Sequence, residues 1–133
     1  MDKKVRMLTA KMGLDCHDTG ITTVSQILRD AGFEVIYLGL HNSAAKILRS
    51  AIQEGVDLIG LSFLSGQHLP KTRSLLQLMK KEKESIPVFV GGVIPPDDVK
   101  KLEKMGVKRV FIPGTMSSEI VQAIHETITR GEE

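Results

Sequence analysis

Between residues 11 and 20 the chain reads Lys11-Met-Gly-Leu-Asp15-Cys16-His17-Asp18-Thr-Gly20, with a lysine, two aspartates, a cysteine, a histidine and two glycines in ten positions. A turn needed only for connection takes about two to six small or polar residues. This run is longer and chemically richer. A carboxylate that accepts from one imidazole nitrogen sets the tautomer and makes the other nitrogen a better metal donor. Asp15, two residues before His17, is suited to that task, and Lys11 can hold Asp15 ionised. A loop histidine is more often a solvated side chain than a ligand, and it is Asp15 that raises the ligand reading for His17. Cys16 has acidic neighbours and no basic group to activate it, which makes it a packing residue rather than a nucleophile.

The elements around this run must position it. Apolar stretches at 5–10, 33–38, 57–61, 86–90 and 109–112 are about five residues long and rich in Val, Ile and Phe, as buried parallel strands are. Between them the apolar spacing is helical. Ile21, Val24, Leu28 and Ala31 form one face, stopped by Gly32. Ser43 is the expected N-cap of a second helix with Ala44, Ile47, Leu48, Ala51 and Ile52 inward, ended by Gly55. A third runs from about Pro70 to Lys83, with Leu75, Leu76 and Met79 inward. Pro95-Pro96-Asp97-Asp98 opens a fourth, with proline in the first turn and acids at the positive end of the dipole; Val99, Leu102 and Met105 face inward and Gly106 ends it. Ser117 or Ser118 opens a fifth, with Ile120, Val121, Ile124 and Ile128 inward.

Five strands alternating with five helices predict a single doubly wound five-stranded parallel sheet with helices on both faces, flavodoxin-like, in the order 2-1-3-4-5. With no linker, repeat or low-complexity segment, residues 1–133 are expected to be one domain. Ligands of such folds sit outside the carboxyl ends of the strands, at the switch between strands 1 and 3. The loops there are 11–20, Ser62 to His68, Gly91 to Pro96, and Pro113-Gly114-Thr115. Most of the chemically unusual residues fall in these loops, while the opposite edge has plain turns. Gly91-Gly92 serves either as a turn or as room for a ligand against the backbone. Ser62 and Thr115 are small hydroxyls that bond a ligand or cap a helix. His41 and His68 fall at strand ends, lining the mouth of the site or meeting a partner, and His125 is a surface residue of the last helix. Neither phosphate-binding glycine motif is present. No three-ligand hydrolytic zinc site can be assembled.

Composition narrows the classes further. The net charge is +2, with one tyrosine, four phenylalanines and no tryptophan. Scattered lysines and few stacking rings argue against nucleic acid as a partner. A single cysteine excludes an internal disulfide. No apolar segment is long enough for a signal peptide or membrane span, so the expected location is the cytoplasm.

Asp15-x-His17-x-x-Gly20, followed by Ser62-x-Leu64 and then Gly91-Gly92, resembles the signature of the cobalamin-binding domain of B12-dependent mutases and methyltransferases, and the resemblance covers almost the whole chain. It implies that His17 replaces the cofactor's own dimethylbenzimidazole as lower axial ligand of cobalt. Asp15 would then bond the distal ring nitrogen, with Lys11 behind it. It also implies that the displaced nucleotide tail enters the crevice between strands 1 and 3. Gly20 leaves it room there, Ser62 and Leu64 contact the base, and Gly91 and Gly92 line the pocket. Thr115 stands near the ribose and phosphate, and Asp18 and Gly114 complete the implied cofactor-binding set.

Lys11 to Asp15, Gly91 to Pro96 and Phe111-x-Pro-Gly-Thr115 are similar to the acyl-CoA mutase branch, of the methylmalonyl-CoA mutase type. Asp15-Cys16-His17 in a chain of this length is also similar to the glutamate mutase small subunit. The implied protein is an adenosylcobalamin-binding small subunit, inactive without a large acyl-CoA-binding TIM-barrel subunit. The alternatives are a non-catalytic B12 carrier, sensor or methyl-transfer corrinoid protein. A response-regulator-like domain would carry a phosphorylatable Asp at the end of strand 3, where this chain has Ser62.

Overall fold

The computed structural model describes residues 5–11, 19–38, 43–63, 68–92, 94–112 and 117–132. Strands and helices alternate throughout: β1 (Arg6–Lys11), α1 (Thr19–Asp30), β2 (Glu34–Tyr37), α2 (Ala44–Glu54), β3 (Leu58–Phe63), α3 (His68–Lys81), β4 (Val88–Gly92), α4 (Pro96–Met105), β5 (Arg109–Phe111) and α5 (Ser117–Glu132). The strands form one sheet in the order β2-β1-β3-β4-β5, and every pairing is parallel. This is the expected doubly wound fold.

Alternation along each strand sends its side chains to two separate cores. Leu8, Ala10, Ile59, Leu61, Phe63, Val88 and Val90 face α2, α3 and α4, where they pack with Ile47, Leu48, Leu75, Met79 and Leu102. Met7, Leu58 and Phe89 point the other way, into a smaller core with Leu28 of α1 and Ala123 and Ile124 of α5. Many of these side chains are fully enclosed, and burying each large aliphatic one contributes about 2 kcal/mol. Burial on both faces explains why the strands read as continuous apolar runs.

The helix ends obey local chemistry. The Ser43 side chain accepts from the Lys46 backbone N–H, and Gly55 closes α2 in the left-handed conformation. Pro96 stands at the first position of α4, with Asp97 and Asp98 in its first turn. Some expected details differ. Helix α3 begins at His68, two residues before Pro70, because a proline is tolerated within the first turn, where its missing N–H has no partner to lose. Ile52, expected inward, is 48% exposed, since the buried stripe of α2 is Ile47, Leu48 and Ala51. Ser62, Gly91 and Gly92 belong to the ends of β3 and β4 rather than to the loops beyond.

Candidate functional site: the carboxyl ends of the central strands

Lys11, Ser62, Gly91 and Phe111 form one row across the sheet, since Lys11 pairs with Ser62, Ser62 with Gly91, and Gly91 with Phe111. Two residues down, the next row on the same face is Thr9, Gly60, Phe89 and Arg109. Alternation places Gly60, Ser62 and Gly91 on the side of Leu58 and Phe89, facing α1 and α5. In their amino-terminal halves these strands are sealed on that side, with Leu58 at 0% and Phe89 at 4% exposure. Towards the carboxyl ends Gly60, Ser62 and Gly91 are partly accessible, although they sit in two inner strands of the sheet. The sheet therefore opens there into a trough floored by two glycines and a serine. A cradle of this kind admits a flat or elongated ligand to the backbone. Gly60 escapes the sequence motifs; its only signal is a residue without a side chain at an alternating position of an otherwise apolar strand.

The two adjacent glycines differ in what they answer to. A Cβ on Gly91 would meet the Phe111 carbonyl oxygen at 3.6 Å, an ordinary contact, so the protein itself does not demand a glycine there. Gly92 has φ +130°, and a Cβ on it would lie 1.8 Å from the Phe63 carbonyl oxygen. The close approach of β3 and β4 thus requires Gly92, a packing role where the sequence motif suggests a ligand-binding one. Gly91 is left free for a ligand.

Helix α1 packs on β1 and β2 and is fastened to the sheet by a buried hydroxyl pair, Thr9 Oγ1 and Ser25 Oγ at 2.9 Å. On the opposite face, behind the trough, His68 Nε2 and Asp98 Oδ2 are 2.7 Å apart, with side chains only 6% and 18% exposed. The Phe63 ring meets His68 edge-on at 6.4 Å between centroids. Lys101 Nζ lies 3.6 Å from Asp98 Oδ1. The hydrogen bond from His68 holds the Asp98 carboxyl below its ordinary value, against the opposing effect of burial, and the charges of His68 and Lys101 add to the lowering. His68 is therefore an enclosed residue of α3 rather than a group lining the mouth. His125 is exposed, as expected, with its ring 5.2 Å from that of Phe33.

The structure brings Lys11, Ser62 and Gly91 into one row and sets Gly20 in the first turn of α1. Asp15, His17, Asp18, Leu64, Gly114, Thr115 and His41 lie outside the described residues. Among the described residues no three His, Cys, Asp or Glu side chains are grouped to hold a metal ion, and no helix is long and apolar enough to cross a membrane. The trough fits a cobalamin whose tail lies along the sheet, because its floor is free of bulk where a nucleotide base would approach. The donor chemistry fits as well: His17, paired in sequence with the carboxylate of Asp15, follows β1 in the chain.

Comparison with known proteins bears on the same point. The chain is 38% identical to the small subunit of 2-hydroxyisobutanoyl-CoA mutase from Aquincola tertiaricarbonis over 93% of this chain and 92% of that one. It is 36% identical to the methylmalonyl-CoA mutase large subunit of Streptomyces virginiae, where 96% of this chain matches 17% of the relative. Among solved structures, a cobalamin-binding protein from Desulfitobacterium hafniense superposes with a TM-score of 0.80 at 22% identity, over 93% of this chain and 59% of that one, a likeness of fold. The model of the B12 binding domain matches residues 5–122. With a match running from the first strand into the last helix, the chain belongs to the B12-binding domain family.

Proposed function

We propose that this protein is the cobalamin-binding small subunit of an adenosylcobalamin-dependent acyl-CoA mutase, with residues 1–133 forming one cofactor-binding domain. The observation that carries the reading is the end-to-end similarity to a mutase small subunit, over 93% of this chain and 92% of the relative. The trough of Gly60, Ser62 and Gly91 supports the cofactor's placement. In this reading His17 gives its imidazole nitrogen to cobalt in place of the cofactor's own base. Asp15 accepts from the other ring nitrogen, and Lys11 at the end of β1 keeps that carboxylate ionised. The displaced nucleotide tail lies over Gly60, Ser62 and Gly91, with Asp18, Gly20, Leu64, Gly114 and Thr115 around it.

Bound adenosylcobalamin supplies radical chemistry through homolysis of its cobalt–carbon bond, and the protein supplies ligation, orientation and exclusion of water. Acyl-CoA contacts belong to a large TIM-barrel partner subunit, and the pair works in the cytoplasm. Similarity to a segment of a mutase large subunit supports this division, because the same domain occurs there within a longer chain.

The test is a titration of the purified chain with hydroxocobalamin and adenosylcobalamin, read by visible absorption. The expected result is a base-off, His-on species. His17→Ala is expected to lose the His-on spectrum while keeping its thermal midpoint. An unchanged spectrum in that variant would overturn the assignment of His17. Absence of any spectral change in the native chain would overturn the cobalamin reading. A chain that binds cobalamin but restores no isomerisation with any barrel-type mutase subunit would be a carrier or sensor instead.

A further inference from the structure

The sheet has two edges, β2 and β5, and an edge strand offers its outward N–H and C=O groups to any chain that can pair with them. The β2 edge is blocked. Glu34 and Leu38 donate to the Val5 and Thr9 carbonyls at 2.9 and 2.8 Å, so alternation turns the Val35 carbonyl outward, where the Arg29 guanidinium caps it at 3.2 Å. Among the described residues nothing comparable covers β5. Pro87 accepts from Ile59 of β3, and the next residue, Val88, accepts from Lys108 on the other side, each at 2.9 Å. Residues 88 and 90 therefore serve β5. Val90, in register with Val110, bonds the flanking Arg109 and Phe111, as parallel pairing requires. That leaves the N–H and C=O of Val110 pointing out of the sheet.

Strand β5 is also the least sealed of the five. Arg109 is exposed and Val110 and Phe111 are half-buried, whereas each of the other four strands holds at least one buried residue. Arg109 and Phe111 share the face turned to α5. The Arg109 guanidinium lies 5.7 Å from the centre of the Phe111 ring, and Arg109 borders an open cavity of about 210 Å³ with Glu119, Gln122, Ala123 and Glu126 of α5. One small patch thus carries a cation, an aromatic ring and two carboxylates. A partner of a single charge sign would be repelled by part of it. A second copy turned about a two-fold axis meets each sign with the other, because such an interface must be complementary to itself.

We infer that the open edge of β5 is a docking surface for a second copy of this chain, which pairs with it antiparallel about Val110 to make a two-fold dimer. On that axis Val110 of each copy donates to and accepts from Val110 of the other, the hydrogen-bonded pair of an antiparallel ladder. Arg109 then stands opposite Phe111 of the second copy, and Phe111 opposite its Arg109, in the non-hydrogen-bonded pairs whose side chains approach most closely. Each guanidinium gains an aromatic face from the other chain. Antiparallel pairing points the carboxyl ends of the two sheets in opposite directions, so the candidate cofactor sites lie at opposite ends of the dimer. The inference goes beyond the cobalamin reading and does not depend on it.

The experiment combines sedimentation equilibrium of the full chain from about 1 µM to about 1 mM, the range of weak interfaces, with amide hydrogen exchange at both ends of that range. The mass is expected to rise from that of one chain toward that of two. The Val110 amide, solvent-facing in the single chain, is expected to become protected only at high concentration. Val110→Pro removes the outward N–H at a position where an edge strand tolerates proline, and is expected to stay a single chain throughout. Arg109→Ala removes both guanidinium–ring contacts of the dimer without altering the backbone, and is expected to raise the dissociation constant about tenfold. It keeps the inference testable if the proline variant folds poorly. A single-chain mass across the whole range would overturn the inference. So would a dimer in which the Val110 amide stays unprotected, or one that Arg109→Ala leaves at native affinity, because the contact would then lie on another surface.

Discussion

Gly91 and Gly92 are adjacent and chemically identical, yet their obligations are opposite. Gly92 combines φ +130° with a Cβ position 1.8 Å from the Phe63 carbonyl oxygen, a conformation that side chains rarely adopt and a contact with rigid backbone. Gly92→Ala is expected to cost about 3 kcal/mol or more of stability, measured by urea unfolding. Gly91→Ala has room within the protein and is expected to leave stability nearly unchanged while weakening cobalamin binding, because the added methyl stands on the trough floor. Wild-type affinity in Gly91→Ala would remove Gly91 from the ligand surface.

Asp98 sets a pH dependence of known sign. Its folded pKa is depressed below the ordinary 3.8, chiefly by the hydrogen bond from His68. A depressed carboxyl stabilises the fold at pH values above its unfolded pKa, and that stabilisation is lost as pH falls through the folded value. The stability gap between the native chain and Asp98→Asn should therefore be full at about pH 5 and shrink towards about pH 3, as read from urea unfolding at each pH. A gap that widened on acidification would contradict this assignment.

At the scale of elements, α1 is fastened to β1 by a pair of buried hydroxyls. Thr9 Oγ1 and Ser25 Oγ share a bond of 2.9 Å while both residues are almost wholly buried, at 2% and 1% exposure. They bracket the 12–18 segment, one from the end of β1 and one from α1. Ser25→Ala leaves a buried hydroxyl without its partner and is expected to cost about 1 to 2 kcal/mol. Adding Thr9→Val removes the orphaned hydroxyl, so the double variant should be less destabilised than the sum of the single ones. Denaturant unfolding of the three variants checks this, and simple additivity would argue against the pair. Sequence does not reveal this pair. A threonine within an apolar strand and a serine within a helix each look locally unremarkable, and only the packing of α1 on β1 joins them.

Across the whole molecule, structure and chemistry divide between the two ends of the sheet. At the amino ends Arg6 donates to Glu34 at 3.2 Å and its backbone N–H donates to Asp57 at 2.9 Å, bonds that tie β1 to its neighbours. At the carboxyl ends Gly60, Ser62 and Gly91 are partly accessible. The 12–18 segment, which carries Asp15 and His17, follows this end of β1 in the chain, as the segments after β3, β4 and β5 follow theirs. The parallel topology enforces this, since every βα loop leaves from one edge.

Much of this architecture is legible in the sequence by itself. Runs of about five apolar residues separated by helical periodicity dictate alternating elements, and βα alternation with right-handed crossovers leaves few sheet orders. Capping at Ser43, Gly55 and Pro96 follows from short-range chemistry, which depends on residues within a turn of one another. The cobalamin-binding signature is likewise local, a set of residues at the ends of three strands and just beyond them. Tertiary structure alone decides that His68 is enclosed against Asp98, that Gly92 answers to Phe63 while Gly91 does not, and that Gly91 of β4 stands beside Ser62 of β3. Each of these depends on contacts across strands or between helices, whose partners are set by three-dimensional packing and register rather than by any pattern along the chain.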